Sequence, residues 1–261
     1  MHKRAMSGVP SRRPEIFFGR FCQTQFVPCM FRTNPRRPCV TRAEKAGYML
    51  QMADSPAQDL RRFLGNDRFG TVMADPPWRF TNRTGKVAPE HKRLARYPTL
   101  TLEEICGLPV GDAMADAAHC YIWVPNALLP EGLQVLQAWG FEYKSNIVWH
   151  KVRKDGGSDG RGVGFYFRNV TELLLFGTRG KNARTLPPGR RQVNMLQTRK
   201  REHSRKPDEQ YELIESCSWG PYLELFGRGL REGWTVWGNQ ADADYKPGWK
   251  TYGYNSSVAA E

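Results

Sequence analysis

"VMADPPWRF", Val72 to Phe80, is the stretch on which the reading of this 261-residue chain turns. Three apolar residues run into an acid, two prolines and a tryptophan. Val72, Met73 and Ala74 read as the end of a buried strand. The strand cannot pass Pro76 and Pro77, because proline has no N–H to give a ladder and a fixed φ. It stops at Asp75, and a rigid corner presents a carboxylate beside a large aromatic.

The corner carries chemistry. A residue before proline is held extended, so Asp75 projects with the Pro76 carbonyl close by. Two acceptors with no donor from either proline suit a planar amino group bearing two hydrogens. Trp78 offers a face to a flat heterocycle. An exocyclic base amine is a poor nucleophile because its lone pair is spread into the ring. Hydrogen bonds from both its hydrogens would bias it towards pyramidal geometry. A methyl sulfonium placed in line would complete a direct displacement, by positioning and electrostatics and without a metal. Taken alone, the same four residues are also a turn that ends a strand.

Outward from the corner, strands alternate with helices. "FGTVMA", "AHCYIWV", "SNIVWHK", "VTELLLFGTRG", "PYLELFGRG" and "GWTVWGNQ" read as strands, and "QVNML" as a further short one. "TLTLEEICGL" reads as a helix with Thr101 at the N-cap and Glu104 completing a capping box. Pro125 to Trp139 reads as a helix with Leu128, Leu129, Leu133, Leu136 and Trp139 on one stripe, stopped by Gly140. "KPDEQYELIESC" reads as a helix with Pro207 near its first position. The expected class is α/β, a mostly parallel sheet with helices on both faces. Ligands of such sheets bind beyond the carboxyl ends of the strands. Two strand ends are chemically loaded: the Asp75 corner and "ELFGRG", where Gly227 and Gly229 admit close backbone approach. Trp123, Trp139 and Trp149 read as core.

The net charge is +13, which points to a nucleic-acid partner. From Met1 to Ala43 there are nine Lys or Arg against one acid, Glu15. Residues 1–48 read as a basic tail outside the fold, or as translation begun early with Met49 or Met52 as the start. A nucleic-acid arm and a mitochondrial-type presequence are the alternatives. No run of apolar residues is long enough to span a membrane. The six cysteines show no C-x-x-C pair and the histidines no metal-ligand spacing, so the expectation is reduced thiols in the cytoplasm and no metal. Residues 150–164 and 179–206 are expected to be loops flanking the corner. The second holds ten Lys or Arg, Arg199, Lys200 and Arg201 among them, against Glu202 alone; so biased a run suits phosphates.

The set "VMADPPW", "YPTLTLEEI", "YIWVPNALLPEGLQVLQAWGFEYKSNIVWHK", "TELLLFGTRGK", "HSRKPDEQYELIE", "ELFGRG" and "GWTVWGNQ", in this order, resembles the messenger-RNA adenine-N6 methyltransferase family of the seventy-kilodalton A-subunit type. The resemblance covers Gly70 to Asp242. It implies a Rossmann-like methyltransferase fold in permuted order, the catalytic corner preceding the cofactor's glycine turn, in a domain spanning 49–245 with a C-terminal tail, 246–261. It implies S-adenosylmethionine as cofactor and the N6 amine of adenine as target. The family's catalytic tetrad falls on Asp75, Pro76, Pro77 and Trp78. Its cofactor contacts fall on Asp75, Lys206, Glu224, Gly227, Arg228, Asn239 and Gln240, with Lys206 towards the methionyl carboxylate. Tyr97 matches a loop expected to close over the target. Where family members often carry a His-Asn pair after the turn's arginine, this chain reads Gly229-Leu230-Arg231. DNA is the expected substrate and RNA the alternative. A catalytically inactive nucleic-acid-binding subunit, a homodimer and an accessory subunit stay open.

Overall fold

The computed structural model describes residues 55–79, 99–160, 166–200, 205–241 and 243–245. The expected tails, 1–48 and 246–261, lie outside them, as do Tyr97 and Arg201. In chain order the elements are helix α1 (Pro56–Leu64), strand β1 (Phe69–Ala74), helix α2 (Leu102–Cys106), strand β2 (Met114–Val124), helix α3 (Leu129–Ala138), and strands β3 (Glu142–Val152), β4 (Thr171–Arg179) and β5 (Met195–Arg199). Helix α4 (Glu209–Cys217) and strands β6 (Tyr222–Leu225) and β7 (Trp234–Trp237) follow.

The strands form one sheet in the order β5-β3-β4-β2-β1-β6-β7. β4 runs antiparallel to both its neighbours, and every other pairing is parallel. From β1 the chain moves to β2 on one side, while β6 leads to β7 on the other. The β1/β6 boundary is therefore a topological switch point, where a crevice opens beyond the strand ends. This is the Rossmann-like α/β architecture that the sequence pointed to, with the Asp75 corner ahead of the β6 turn in the chain.

Side chains alternate between two apolar layers, as the strand period of two requires. Val72, Ile122 and Leu223 face α1, α2 and α3, where Leu60, Ile105, Val135 and Leu136 are buried. Met73, Trp123 and Leu174 face α4, which contributes Leu213 and Ile214. Thr101 and Glu104 make the expected capping box at α2. The Trp139 indole N–H donates to the Ile105 carbonyl at 2.9 Å and ties the end of α3 to α2.

Four local expectations are corrected. The helix read from Pro125 begins as a 3-10 turn, Asn126–Leu128, and becomes α only at Leu129. Helix α4 starts at Glu209, so Pro207 precedes it. The strand at "QVNML" lies three residues later, at Met195–Arg199. That strand also divides the basic 179–206 segment. Because β4 is antiparallel, the chain leaves it at the sheet's far end and climbs back along β3, so that the Asn194 carbonyl accepts the Val148 N–H and the part after β5 returns to the edge that holds the Asp75 corner.

Helix α1 is an addition. Ser55 Oγ caps it by accepting from the Gln58 N–H, and Gln58 Oε1 accepts from the Ser55 N–H in return. Leu60 is fully buried. Leu60→Ala is expected to destabilise the fold by about 2–5 kcal/mol, and Ser55→Ala by about 1 kcal/mol, both read as shifts in urea-unfolding midpoint.

Candidate active site

The site grows from the end of β1. The Asp75 N–H still donates to the Leu225 carbonyl of β6, at 3.3 Å. Beyond it the two prolines end the ladder. The Trp78 N–H donates to the Pro76 carbonyl at 2.8 Å, closing a three-residue turn on Pro77. A carbonyl has two lone pairs, so the Pro76 oxygen keeps one for a ligand. The Leu100 N–H donates to the Pro77 carbonyl at 3.1 Å. Trp78 was expected to present an open face. Instead it is buried among the core residues next to α1–α3, and its indole N–H donates to the Trp123 carbonyl at 2.9 Å. In this structure it braces the corner.

The Asp75 carboxylate meets Lys206 Nζ at 2.9 Å, and the same ammonium lies 3.0 Å from Glu172. The other Glu172 oxygen takes Lys151 Nζ at 2.8 Å. Asp75, Lys206, Glu172 and Lys151 thus form a row of alternating charge across β1, the approach to α4, β4 and β3. Glu172 reaches this edge because β4 is antiparallel and starts where its neighbours end. The Lys206 ammonium also sits 5.6 Å from the centroid of the Trp123 ring. Burial works against the charge on Glu172, but the two lysines outweigh it and hold its carboxyl down at about 2. Burial raises the Asp75 carboxyl, and Lys206 opposes that rise. The Lys206 ammonium is held charged: burial disfavours it, while Asp75 and Glu172 push its pKa above the usual lysine value.

The opposite wall is the first turn of α4. Gln210 accepts the Trp123 indole N–H at 2.6 Å. The Tyr211 hydroxyl reaches both oxygens of Glu224, at 3.0 and 3.1 Å. The Arg231 guanidinium lies 3.9 Å from the Tyr211 ring centroid. Glu224 is buried within β6, and its carboxyl is pushed up to about 7, chiefly by burial, with the negative Asp75 adding to the rise.

At the end of β6 the chain turns sharply. Phe226 has φ +64°, a conformation costly for a residue with a side chain and concentrated at functional sites. Gly227 follows, where a Cβ would lie 2.4 Å from Val236 Cγ1. The Gly229 N–H donates to the Gln240 carbonyl at 2.9 Å, so the glycine turn and the "GNQ" turn continue the β6–β7 pairing. The Asn239 and Gln240 side chains are exposed at the end of β7. A crevice between these elements is lined by Asp75, Trp123, Lys206, Tyr211, Glu224, Phe226 and Arg228, among others.

The structure thus brings together Asp75, Lys206, Glu224, Gly227 and Arg228 from the sequence-based set. Glu172, Lys151, Gln210 and Tyr211 join the site without having been anticipated. The one legible signal was a charge inside an apolar strand, as in "TELLLFG". Lys200 was expected to meet substrate but pairs with Asp159 at 3.1 Å, and that carboxylate is almost wholly buried. Arg199 ends β5 at the same edge of the sheet. Among the described residues no cluster of three or more His, Cys, Asp or Glu is placed to hold a metal ion. No helix among them is long and apolar enough to cross a membrane.

Residues 69–240 match the MT-A70 family model. The chain is 30% identical over 232 residues to the probable N(6)-adenosine-methyltransferase MT-A70-like protein of Oryza sativa, covering 84% of this chain and 30% of that one. It is 31% identical over 182 residues to the human N(6)-adenosine-methyltransferase catalytic subunit METTL3, covering 67% of this chain and 28% of that one. With the Type II methyltransferase M.MunI of a Mycoplasma species it shares 28% identity over 204 residues, covering 70% of this chain and 82% of that one. The chain therefore spans less than a third of the rice and human relatives.

The raised Glu224 carboxyl sets a pH dependence. Between its ordinary value of 4.5 and about 7 the folded chain keeps a proton that the unfolded chain has lost. Stability contributed by this group is therefore full below the lower value and falls as pH rises through the window, by at most about 3 kcal/mol. Glu224→Gln is expected to flatten that fall in urea titrations across the window. An unchanged slope would show that Glu224 titrates normally.

Proposed function

The chain belongs to the MT-A70 family, and from that premise we propose that it transfers a methyl group from S-adenosylmethionine to the N6 amine of adenine in nucleic acid, with DNA as the substrate. The observation that carries this reading is the Asp75 carboxylate, held beside Lys206 on a proline corner at the switch point.

The residues present fit the cofactor. Lysine has three N–H donors; Asp75 and Glu172 take two of the three on Lys206, leaving one for a carboxylate. Arg228 adds a cation to the same crevice, and the Phe226–Gly227 turn brings backbone close. Asn239 and Gln240, at the end of β7, are assigned to the ribose and adenine ends. When bound, the cofactor supplies an electrophilic methyl on a sulfonium.

Asp75 and the free lone pair of the Pro76 carbonyl accept the two hydrogens of the target amine. They orient N6 and localise its lone pair, and Asp75 is the nearest base for the proton that N6 sheds. Lys206 pairs with Asp75 and opposes the rise that burial gives its carboxyl, and Glu172 with Lys151 keeps Lys206 in place. Trp78 locks the corner through its indole N–H. Tyr97, Arg199 and Arg201 are assigned to substrate, Tyr97 and Arg201 from the sequence alone. Similarity to a Type II methyltransferase over most of that protein's length supports DNA. The chain's basic character supports a polyanion, and the cytoplasm is the expected compartment.

Asp75→Ala is expected to abolish transfer of labelled methyl while leaving S-adenosylmethionine affinity within a few-fold. Near-normal turnover would remove Asp75 from the catalytic role. Mass spectrometry of nucleosides after parallel incubation with DNA and RNA at low salt tests the substrate. Methylated RNA with unmodified DNA would reverse the choice of polymer and keep the chemistry.

A further inference from the structure

We propose that Tyr166 and Phe167 form a stacking platform for unpaired bases flanking the target nucleotide; this rests on the reading that the substrate is nucleic acid. Tyr166 is 93% and Phe167 83% exposed, well beyond every other large hydrophobic side chain among the described residues. The residues that follow them are held in place. Arg168 Nη1 donates to the Gly160 carbonyl at 3.1 Å, and the Lys151 N–H to the Val170 carbonyl at 2.8 Å. Asn126 Nδ2 donates to the Thr171 carbonyl and hydroxyl at 3.2 and 3.0 Å. The rings thus directly precede a tethered segment at the catalytic edge. The same segment enters β4 at Thr171, and Glu172 follows at once.

The surroundings select the occupant. Residues 151–168 hold five Lys or Arg against two Asp, with Phe165, Tyr166 and Phe167 in succession. Exposed rings in a segment of net positive charge match an unpaired strand, whose bases stack on aromatic faces while its phosphates favour a basic surface. The centre of a protein interface is instead depleted of charge. A base drawn out of a helix also leaves its neighbours unstacked, and exposed rings on the segment that leads into Glu172 offer them a new face.

The test uses the full chain and a fluorescently labelled, adenine-containing single-stranded oligonucleotide, with affinity read by anisotropy. The double variant Tyr166→Ala with Phe167→Ala is expected to lose about tenfold or more in affinity, since base–aromatic stacking is worth about 1–3 kcal/mol per base. Its melting temperature and S-adenosylmethionine affinity should match the parent. Tryptophan at both positions should preserve binding, and leucine at both should not. Unchanged affinity in the alanine variant, or full binding by the leucine variant, would overturn the platform. So would a wild-type dimer in light scattering that the alanine variant loses, since the rings would then be covered by protein. Binding is measured without turnover, so a wild-type chain that binds but never methylates would sink the proposed reaction and leave this inference standing.

Discussion

The structure depends on one ammonium group. Lys206 stands between Asp75 and Glu172, 2.9 and 3.0 Å away, and Glu172 is held in turn by Lys151. These charges are largely withdrawn from water, which costs desolvation, and removing one partner from such a set is destabilising because the remainder stay unpaired. The row is balanced, two acids against two bases, and each member comes from a different part of the chain. No one of them can shift without stranding another. The carboxylate at the proline corner is therefore set by elements far from it in sequence.

That balance follows from topology. In a wholly parallel sheet every strand would begin at the edge away from the crevice, and no strand-opening residue could meet Asp75. Reversing β4 brings the Thr171–Glu172 end of that strand to the carboxyl edge of β1, β2 and β6. The same reversal starts the basic segment after β4 at the far end of the sheet. The exposed Lys181, Arg184, Arg190 and Arg191 therefore stand away from the crevice, and the charges that return with Lys200 and Lys206 are matched by Asp159, Glu172 and Asp75.

What the sequence revealed was local. Two prolines after an apolar run end a strand wherever they occur, so β1 and its corner were read to the residue. A threonine followed three residues later by a glutamate caps a helix by the same short-range logic, and α2 begins where that predicts. The signal for α1, Ser55 with Gln58, was equally local but stood ahead of the motif-bearing chain and was passed over. The partners of Lys206 were not legible, because Glu172 looks like any acid at a strand end until the strand's direction is known. The fate of Trp78 was hidden for a related reason. An aromatic after a proline corner can turn outward or inward, and the choice depends on the Trp123 carbonyl, which lies 45 positions along the chain.

The two indoles join the corner to the far wall of the crevice. Trp78 gives its N–H to the carbonyl of Trp123, and Trp123 gives its own to Gln210 at the head of α4. Two successive buried hydrogen bonds thus span from the end of β1, through the end of β2, to a helix on the opposite face of the sheet. Each bond is shielded from water, so displacing either wall of the crevice would leave an indole N–H without an acceptor, a cost of about 1–3 kcal/mol.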